Sequence, residues 1–86
     1  MKGVVTEINA NRGMVAVRTN SGDFSIFEML SSDEIEIHDE ISWENDTGLG
    51  HEFVKNISKN TKFEVYFQNH HVTKNQLKDQ LYYKKY

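Results

Sequence analysis

The side chains best suited to chemistry are four histidines, at positions 38, 51, 70 and 71, and an acidic run over residues 33–40. In a strand, the adjacent His70 and His71 point to opposite faces, so at most one of them can join a given site. No H-x-x-x-H spacing or nearby carboxylate completes a metal site, and the acidic run lacks the D-x-[DN]-x-[DN]-G order of a calcium loop. The sequence therefore predicts no metal and no cofactor, with ordinary surface or turn histidines and a solvated acidic face.

Motifs for covalent or phosphoryl chemistry are also missing. The chain has no G-x-S-x-G, no glycine-rich phosphate loop and no interpretable Ser/His/Asp order. It has no cysteine, which removes thiolate nucleophiles and disulfides. We expect a binding module and not an enzyme.

The length of 86 residues and the apolar content of 37% describe one small domain. The longest uninterrupted apolar stretch runs over the four residues 14–17, far short of the ~20 that a membrane-spanning helix needs. The N-terminus also lacks the apolar segment of a signal peptide. We expect a soluble cytoplasmic protein without a membrane partner.

The net charge of −3 conceals two unlike halves. Residues 1–52 hold eleven Asp or Glu against three Lys or Arg, a balance of −8, whereas residues 53–86 hold seven lysines against two acids, a balance of +5. One folded barrel brings the halves together, so the split predicts a polarised surface. The lysine-rich half either meets an anionic partner or provides ordinary solubilising charge.

Strand patterns dominate the first two thirds of the chain. Lys2–Asn9, Met14–Thr19 and Phe24–Met29 are separated by Asn- and Gly-containing turns, which predicts a three-stranded meander. Alternating apolar residues at 35, 37, 41 and 43 predict two short strands or one broken strand, with Trp43 in the core. Further strands are predicted over residues 52–57 and 63–67. Short strands with turns about every ten residues are typical of a small closed barrel.

A short helix is predicted over residues 74–83. Thr73 precedes Gln76 by three residues, as in a capping box, and Val72 and Leu77 form a hydrophobic staple around it. Leu77 and Leu81 then share one face. At about ten residues the helix must dock on the barrel or on a partner to persist.

Three motifs together resemble the bacterial cold-shock domains. Residues 2–17 follow the family's opening G-x-V-K-W-F-N-x-x-K-G-F-G-F-I, residues 22–27 its D-V-F-V-H-F, and residues 54–57 its closing A-x-N-V. The resemblance implies a mainly β, five-stranded OB-type barrel over residues 1–61 that binds single-stranded RNA or DNA. The added strand and short helix would form an extension over residues 62–86, packed on the barrel.

The family stacks bases on aromatic side chains of its first three strands, at roughly 1–3 kcal/mol for each base. Most of those positions are not aromatic here: the chain has Glu7, Ile8, Met14, Ala16, Ser25, Phe27 and Glu28 in their place. The family's strand parity predicts that Val15, Val17, Phe24 and Ile26 face the core. It also predicts an outward face of Met14, Ala16, Arg18, Ser25, Phe27 and Met29. The ligand determinants are therefore degraded, and weak binding is expected.

The predicted nucleic-acid site is a cluster of Met14, Phe27 and Met29 edged by Arg12 and Arg18. The residues that would extend it are Lys55, Lys59 and Lys62, and the helix adds cations and aromatics at Lys74, Lys78, Tyr82, Tyr83, Lys84, Lys85 and Tyr86. The same apolar cluster suits a protein partner, because methionines beside an aromatic ring make an adaptable patch. The third alternative is internal packing beneath the C-terminal helix or the strand over residues 63–67, and the terminal lysines would then be a solvated helix face.

Overall fold

The computed structural model describes residues 1–45 and 48–82, and they form a mainly β structure with one short helix. The elements are β1 (Lys2–Asn9), β2 (Met14–Thr19), β3 (Phe24–Met29), β4 (Glu40–Ser42), β5 (Gly50–Asn56), β6 (Thr61–Val72), a 3₁₀ turn (Lys74–Gln76) and α1 (Leu77–Tyr82). Within this part of the chain, no helix is long and apolar enough to cross a bilayer.

The six strands close one antiparallel barrel in the order β1-β2-β3-β6-β5-β4. The predicted β-barrel with an added strand and a C-terminal helix is thereby confirmed. β6 lies between β3 and β5, so the segment 62–86 supplies a strand of the barrel wall as well as the helix outside it. The alternating apolar residues at 35, 37, 41 and 43 predicted two short strands or one broken strand, and only β4 forms a strand there. The chain turns before it, at His38, whose φ is 80°.

The register between β2 and β3 decides which residues fill the barrel. A main-chain bond from Thr19 N to Asp23 O (2.9 Å) closes the turn, and Val15 then lies opposite Phe27. Opposed residues of an antiparallel pair point to the same face. Phe27 therefore joins Val15 inside the barrel and is fully buried.

The predicted parity is consequently right for β2 and wrong for β3. Ser25 lies opposite Val17 and is buried, and Met29 packs against the barrel core. Phe24 and Ile26 instead lie on the outer side of the sheet, in a second apolar cluster. The parity taken from the family failed on β3 because the register pairs Val15 with Phe27 and Val17 with Ser25, and the register decides which face each side chain occupies.

Aromatic rings occupy the centre of the barrel. The ring of Phe67 meets Phe27 edge-on at 5.5 Å between centroids, and it lies 5.1 Å from Trp43. His70 stacks on Phe67 at 4.8 Å. Trp43 is 4% exposed, so its predicted core position is confirmed. These rings join β3 and β6 to the segment that follows β4.

Helix α1 covers the outer side of β2 and β3. Leu77 and Leu81 are buried in the second apolar cluster, whose other members are Met14, Ala16, Phe24, Ile26 and Val72. Thr73 N donates to Gln76 Oε1 (3.1 Å), as the predicted capping box requires. Asn9 Nδ2 donates to the carbonyl of Leu81 (2.9 Å) and ties the end of the helix to β1. The predicted helix is confirmed up to Tyr82, although its first three residues, Lys74–Gln76, form the 3₁₀ turn. Tyr83, Lys84, Lys85 and Tyr86 lie outside the described residues.

A buried carboxylate joins the loop before β4 to the β5–β6 turn. Asp39 is 6% exposed and accepts hydrogen bonds from Asn56 Nδ2 (2.9 Å), Glu36 N (2.9 Å) and Lys59 Nζ (3.2 Å). Burial opposes the ionisation of Asp39, but the hydrogen bonds from Asn56, Glu36 and Lys59 outweigh it and lower the pKa of this carboxyl. Its negative charge is thus part of the folded structure.

Replacing Leu81 tests the contribution of the helix. We expect Leu81→Ala to lower the free energy of unfolding by about 2–5 kcal/mol, because it removes a fully buried side chain from the second cluster. The neighbouring Tyr82 is 45% exposed, and Tyr82→Ala is the matched control, with an effect within about 0.5 kcal/mol. Urea denaturation measures both variants. Equal midpoints for the two would contradict the packing of α1.

The lowered pKa of Asp39 predicts acid sensitivity. Its folded-state pKa lies below the ordinary value of 3.8, so the unfolded state binds more protons as the pH falls through this range. The stabilisation is present above the ordinary pKa of 3.8 and is lost as the pH falls through the lowered pKa of Asp39. Asp39→Asn should be less stable at neutral pH and should lose less stability on acidification. Glu64→Gln, an exposed carboxylate outside this network, is the control. Parallel pH profiles for wild type and Asp39→Asn, from urea denaturation, would exclude this role.

Candidate functional site

The apolar cluster predicted as a ligand surface is inside the protein. Phe27 is in the barrel, Met14 lies under α1 with 6% exposure, and Met29 is half-buried against the barrel core. These three residues correspond to the internal-packing alternative. The outer face of β1 to β3, on which the cold-shock family stacks bases, is covered here by the helix at its β2 and β3 positions.

The two arginines lie away from the predicted lysines. Arg18 is exposed on β2, opposite Phe24 on β3. Arg12 is half-buried in the β1–β2 turn, and its Nη1 has no hydrogen-bond partner among the described residues. In the barrel order, two strands separate β2 from β5 in either direction. The structure therefore does not bring Arg12 and Arg18 together with Lys55 on one surface.

Of the three lysines predicted to extend the site, one is held by acids. Lys59 Nζ contacts Glu36 Oε1 (2.5 Å) and Asp39 Oδ2 (3.2 Å). The hydrogen bond to Glu36, with that to Asp39, raises the pKa of Lys59. Lys55 and Lys62 lie opposite each other on β5 and β6, and both are exposed. These two cations are free to meet a ligand.

Alternate residues of β5 and β6 form an exposed face, called here the β5–β6 outer face. The residues between them, such as Val54, Phe63 and Val65, point into the barrel. Three cross-strand pairs make up the face: His51 with Tyr66, Phe53 with Glu64, and Lys55 with Lys62.

The centre of the β5–β6 outer face is an aromatic ring beside a cation. Phe53 is 56% exposed, and Lys62 Nζ lies 5.4 Å from the centroid of its ring. A cation within ~6 Å of a ring face is attracted by the ring quadrupole. His51 and Tyr66 add a second ring pair, 5.5 Å apart, with Tyr66 41% exposed. The face thus carries rings at His51, Tyr66 and Phe53 and the two lysines at one end, with Glu64 opposite Phe53.

A cleft opens beside Phe53 because β4 leaves β5 early. Their described pairing covers Ile41 with Asn56 and Ser42 with Lys55. On its other edge β4 continues to pair with β1, with Trp43 N donating to Met1 O (2.9 Å) and Met1 N to Trp43 O (2.7 Å). The cleft has a volume of about 390 Å³, and its lining is Ser42, Trp43, Glu44, Glu52, Phe53, Val54, Lys55 and Lys62.

The polar groups of the cleft are incompletely paired within the protein. Phe53 N donates to Glu52 Oε1 (3.1 Å), a side-chain acceptor where the neighbouring strand would otherwise provide one. Trp43 Nε1 is buried and has no hydrogen-bond partner among the described residues. Glu44 and Lys55 are exposed at the same cleft. The cleft therefore offers donors, acceptors and an aromatic wall to a ligand.

Sequence reasoning missed Phe53 although a signal was present. Phe53 and Val54 are adjacent apolar residues in a predicted strand, so only one of them can face the barrel. The structure places Val54 inside, with 1% exposure, and leaves Phe53 outside. The cleft itself has no local signal, because it depends on where β4 and β5 separate.

The histidines at the end of β6 have structural partners. His70 Nε2 donates to the carbonyl of Gly48 (2.9 Å), since a carbonyl only accepts, and Nδ1 lies 2.8 Å from Ser25 Oγ. His71, with φ 56°, pairs with Asp23 Oδ2 (2.8 Å). Hydrogen bonds from Thr19 and His71 lower the pKa of Asp23. Among residues 1–45 and 48–82, no three His, Asp or Glu side chains converge as metal ligands would.

Searches with this chain against protein-family models, curated proteins and solved structures find no match.

Proposed function

We propose that this OB-like barrel binds single-stranded nucleic acid through the β5–β6 outer face. The observation that carries the proposal is the exposed ring of Phe53 with Lys62 Nζ 5.4 Å from its centroid and Lys55 opposite Lys62 on the neighbouring strand. Single-strand binding needs flat surfaces for bases and cations along the backbone. Both are present here on adjacent strands.

The resemblance to cold-shock domains supports this class of ligand but not the family's surface. Helix α1 packs on the outer side of β2 and β3, where Met14, Ala16 and Ile26 are buried. The β5–β6 outer face carries no such cover among the described residues. Contacts from Arg12 and Arg18 remain a prediction from the sequence, and in this arrangement they would need a strand that passes around the barrel.

Charge limits the affinity of such a site. The chain has a net charge of −3, and Glu64 lies directly opposite Phe53. A carboxylate on the binding face repels phosphate. The cations of this face that can offset it are Lys55 and Lys62. We therefore expect weak, salt-sensitive binding that depends little on the base at most positions of the strand.

A protein partner is the second candidate, and the interrupted β4–β5 pairing favours it. Beyond Ser42 and Lys55, the main chain of β5 at Phe53 has a side-chain partner in place of a strand. An extended peptide can add to such an edge. Failure to bind any oligonucleotide at low salt, together with capture of a partner that Phe53→Asp abolishes, would favour this candidate.

The ring of Phe53 provides the first test. Phe53→Ala should weaken binding of a fluorescein-labelled decanucleotide about 5- to 150-fold in an anisotropy titration, because one base stack contributes roughly 1–3 kcal/mol. Tyr82→Ala removes an exposed ring from α1, which covers β2 and β3 on another part of the outer surface, and should leave the affinity unchanged. Absence of binding by the wild type at low ionic strength would refute the proposal.

The cations provide an independent test. If Lys62 contacts a phosphate, Lys62→Gln should reduce the slope of log K against log salt concentration by about 0.7, the value for one contact on a single strand. Lys78→Gln, which removes an exposed cation from α1, should leave the slope unaltered. An equal change in both variants would show a general charge effect and no defined phosphate contact at Lys62.

A further inference from the structure

We infer that the cleft beside Phe53 is a subsite for one unpaired base that carries an exocyclic amino group: cytosine, adenine or guanine. This inference rests on the proposed function and adds to it a preference for certain bases. The cleft lies between the end of β4 and the middle of β5, on the opposite part of the barrel from the surface covered by α1.

The shape of the cleft suits a flat ligand. Its volume of about 390 Å³ is within the range of small-ligand sites, ~300–1,000 Å³. Phe53, 56% exposed, supplies an aromatic wall, whereas Trp43 and Val54 border the cleft with side chains that are almost wholly buried. A base that leaves the strand and enters here stacks on Phe53.

The carboxylates of the cleft give it selectivity. Glu44 and Glu52 both line it, and an ionised carboxylate only accepts hydrogen bonds. Cytosine, adenine and guanine present an amino donor to such a group, whereas thymine and uracil have no exocyclic amino group. Two carboxylates in the lining would repel a phosphate. They can instead accept hydrogen bonds from the amino group on the edge of a base.

The remaining groups complete a nucleotide site. Lys55 and Lys62 line the same cleft, and their ammonium groups suit the phosphate attached to the bound base. The indole Nε1 of Trp43 is a buried donor without a partner among the described residues. Because Nε1 is buried, it lies out of direct reach of a ligand, and Trp43 serves as a reporter beside the cleft.

The test uses the full chain and three labelled decamers: oligo-dC, oligo-dT and an abasic deoxyribose-phosphate strand. Trp43 is the single tryptophan of the chain, so its fluorescence reports directly on occupancy of the cleft. We expect oligo-dC to change the Trp43 emission and to bind about fivefold or more tightly than oligo-dT at low ionic strength. The abasic strand should leave the emission unchanged.

Paired variants separate base reading from charge. The double variant Glu44→Ala/Glu52→Ala should lose the preference for oligo-dC over oligo-dT while it still binds both. Glu64→Ala removes a carboxylate from the same outer face but outside the cleft lining, and should bind both more tightly with the preference intact. Far-UV circular dichroism and urea denaturation verify that each variant is folded.

The outcomes distinguish the two proposals. Equal binding of oligo-dC and oligo-dT with no change in Trp43 emission would overturn the base subsite and leave single-strand binding in place. A preference for oligo-dC that survives in Glu44→Ala/Glu52→Ala would overturn the role of the carboxylates. Failure of all three decamers to bind would overturn both proposals and favour a protein partner.

Discussion

The contact of Phe67 with Phe27 and Trp43 is the interaction on which the rest of this barrel depends. Phe67 lies 5.5 Å from Phe27 and 5.1 Å from Trp43, between ring centroids. Its strand, β6, lies in the barrel wall between β3 and β5. Trp43 follows β4 and continues the pairing of β4 with β1 through Met1, while the described pairing of β4 with β5 ends at Ser42 and Lys55. The cleft beside Phe53 lies where that pairing ends.

The direction of the side chains on each strand divides the outer surface of the barrel into a part that α1 covers and a part that is exposed. Phe27 points inward, so Phe24 and Ile26 on the same strand point outward and need a cover, which α1 supplies with Leu77 and Leu81. β5 and β6 carry a different outward set, of which Phe53 is 56% exposed beside the ammonium group of Lys62. The proposed ligand surface lies on the part of the barrel that the helix leaves uncovered.

Local patterns in the sequence predicted the strands, the capping of the helix at Thr73 and the burial of Leu77 and Leu81. These features depend on residues within a few positions of each other. The side on which Phe27 lies depends on the β2–β3 register, and a one-residue difference in register reverses every side chain of a strand. The cleft depends on where the pairing of β4 with β5 ends, at Ser42 and Lys55, which no local pattern encodes. Of the residues predicted for the site, Lys55 and Lys62 are exposed, whereas Met14 and Phe27 are buried.

The most direct test of the proposed ligand surface is amide chemical-shift mapping of the labelled protein with a short oligo-dC at low ionic strength. The account predicts that the largest shifts fall on Phe53, Lys55 and Lys62, with smaller shifts on Tyr66. The amide shifts of β2 and of α1 should stay unchanged, because Met14 and Leu81 are buried together in the second apolar cluster. Shifts centred on β2 and α1, with β5 and β6 unaffected, would contradict it.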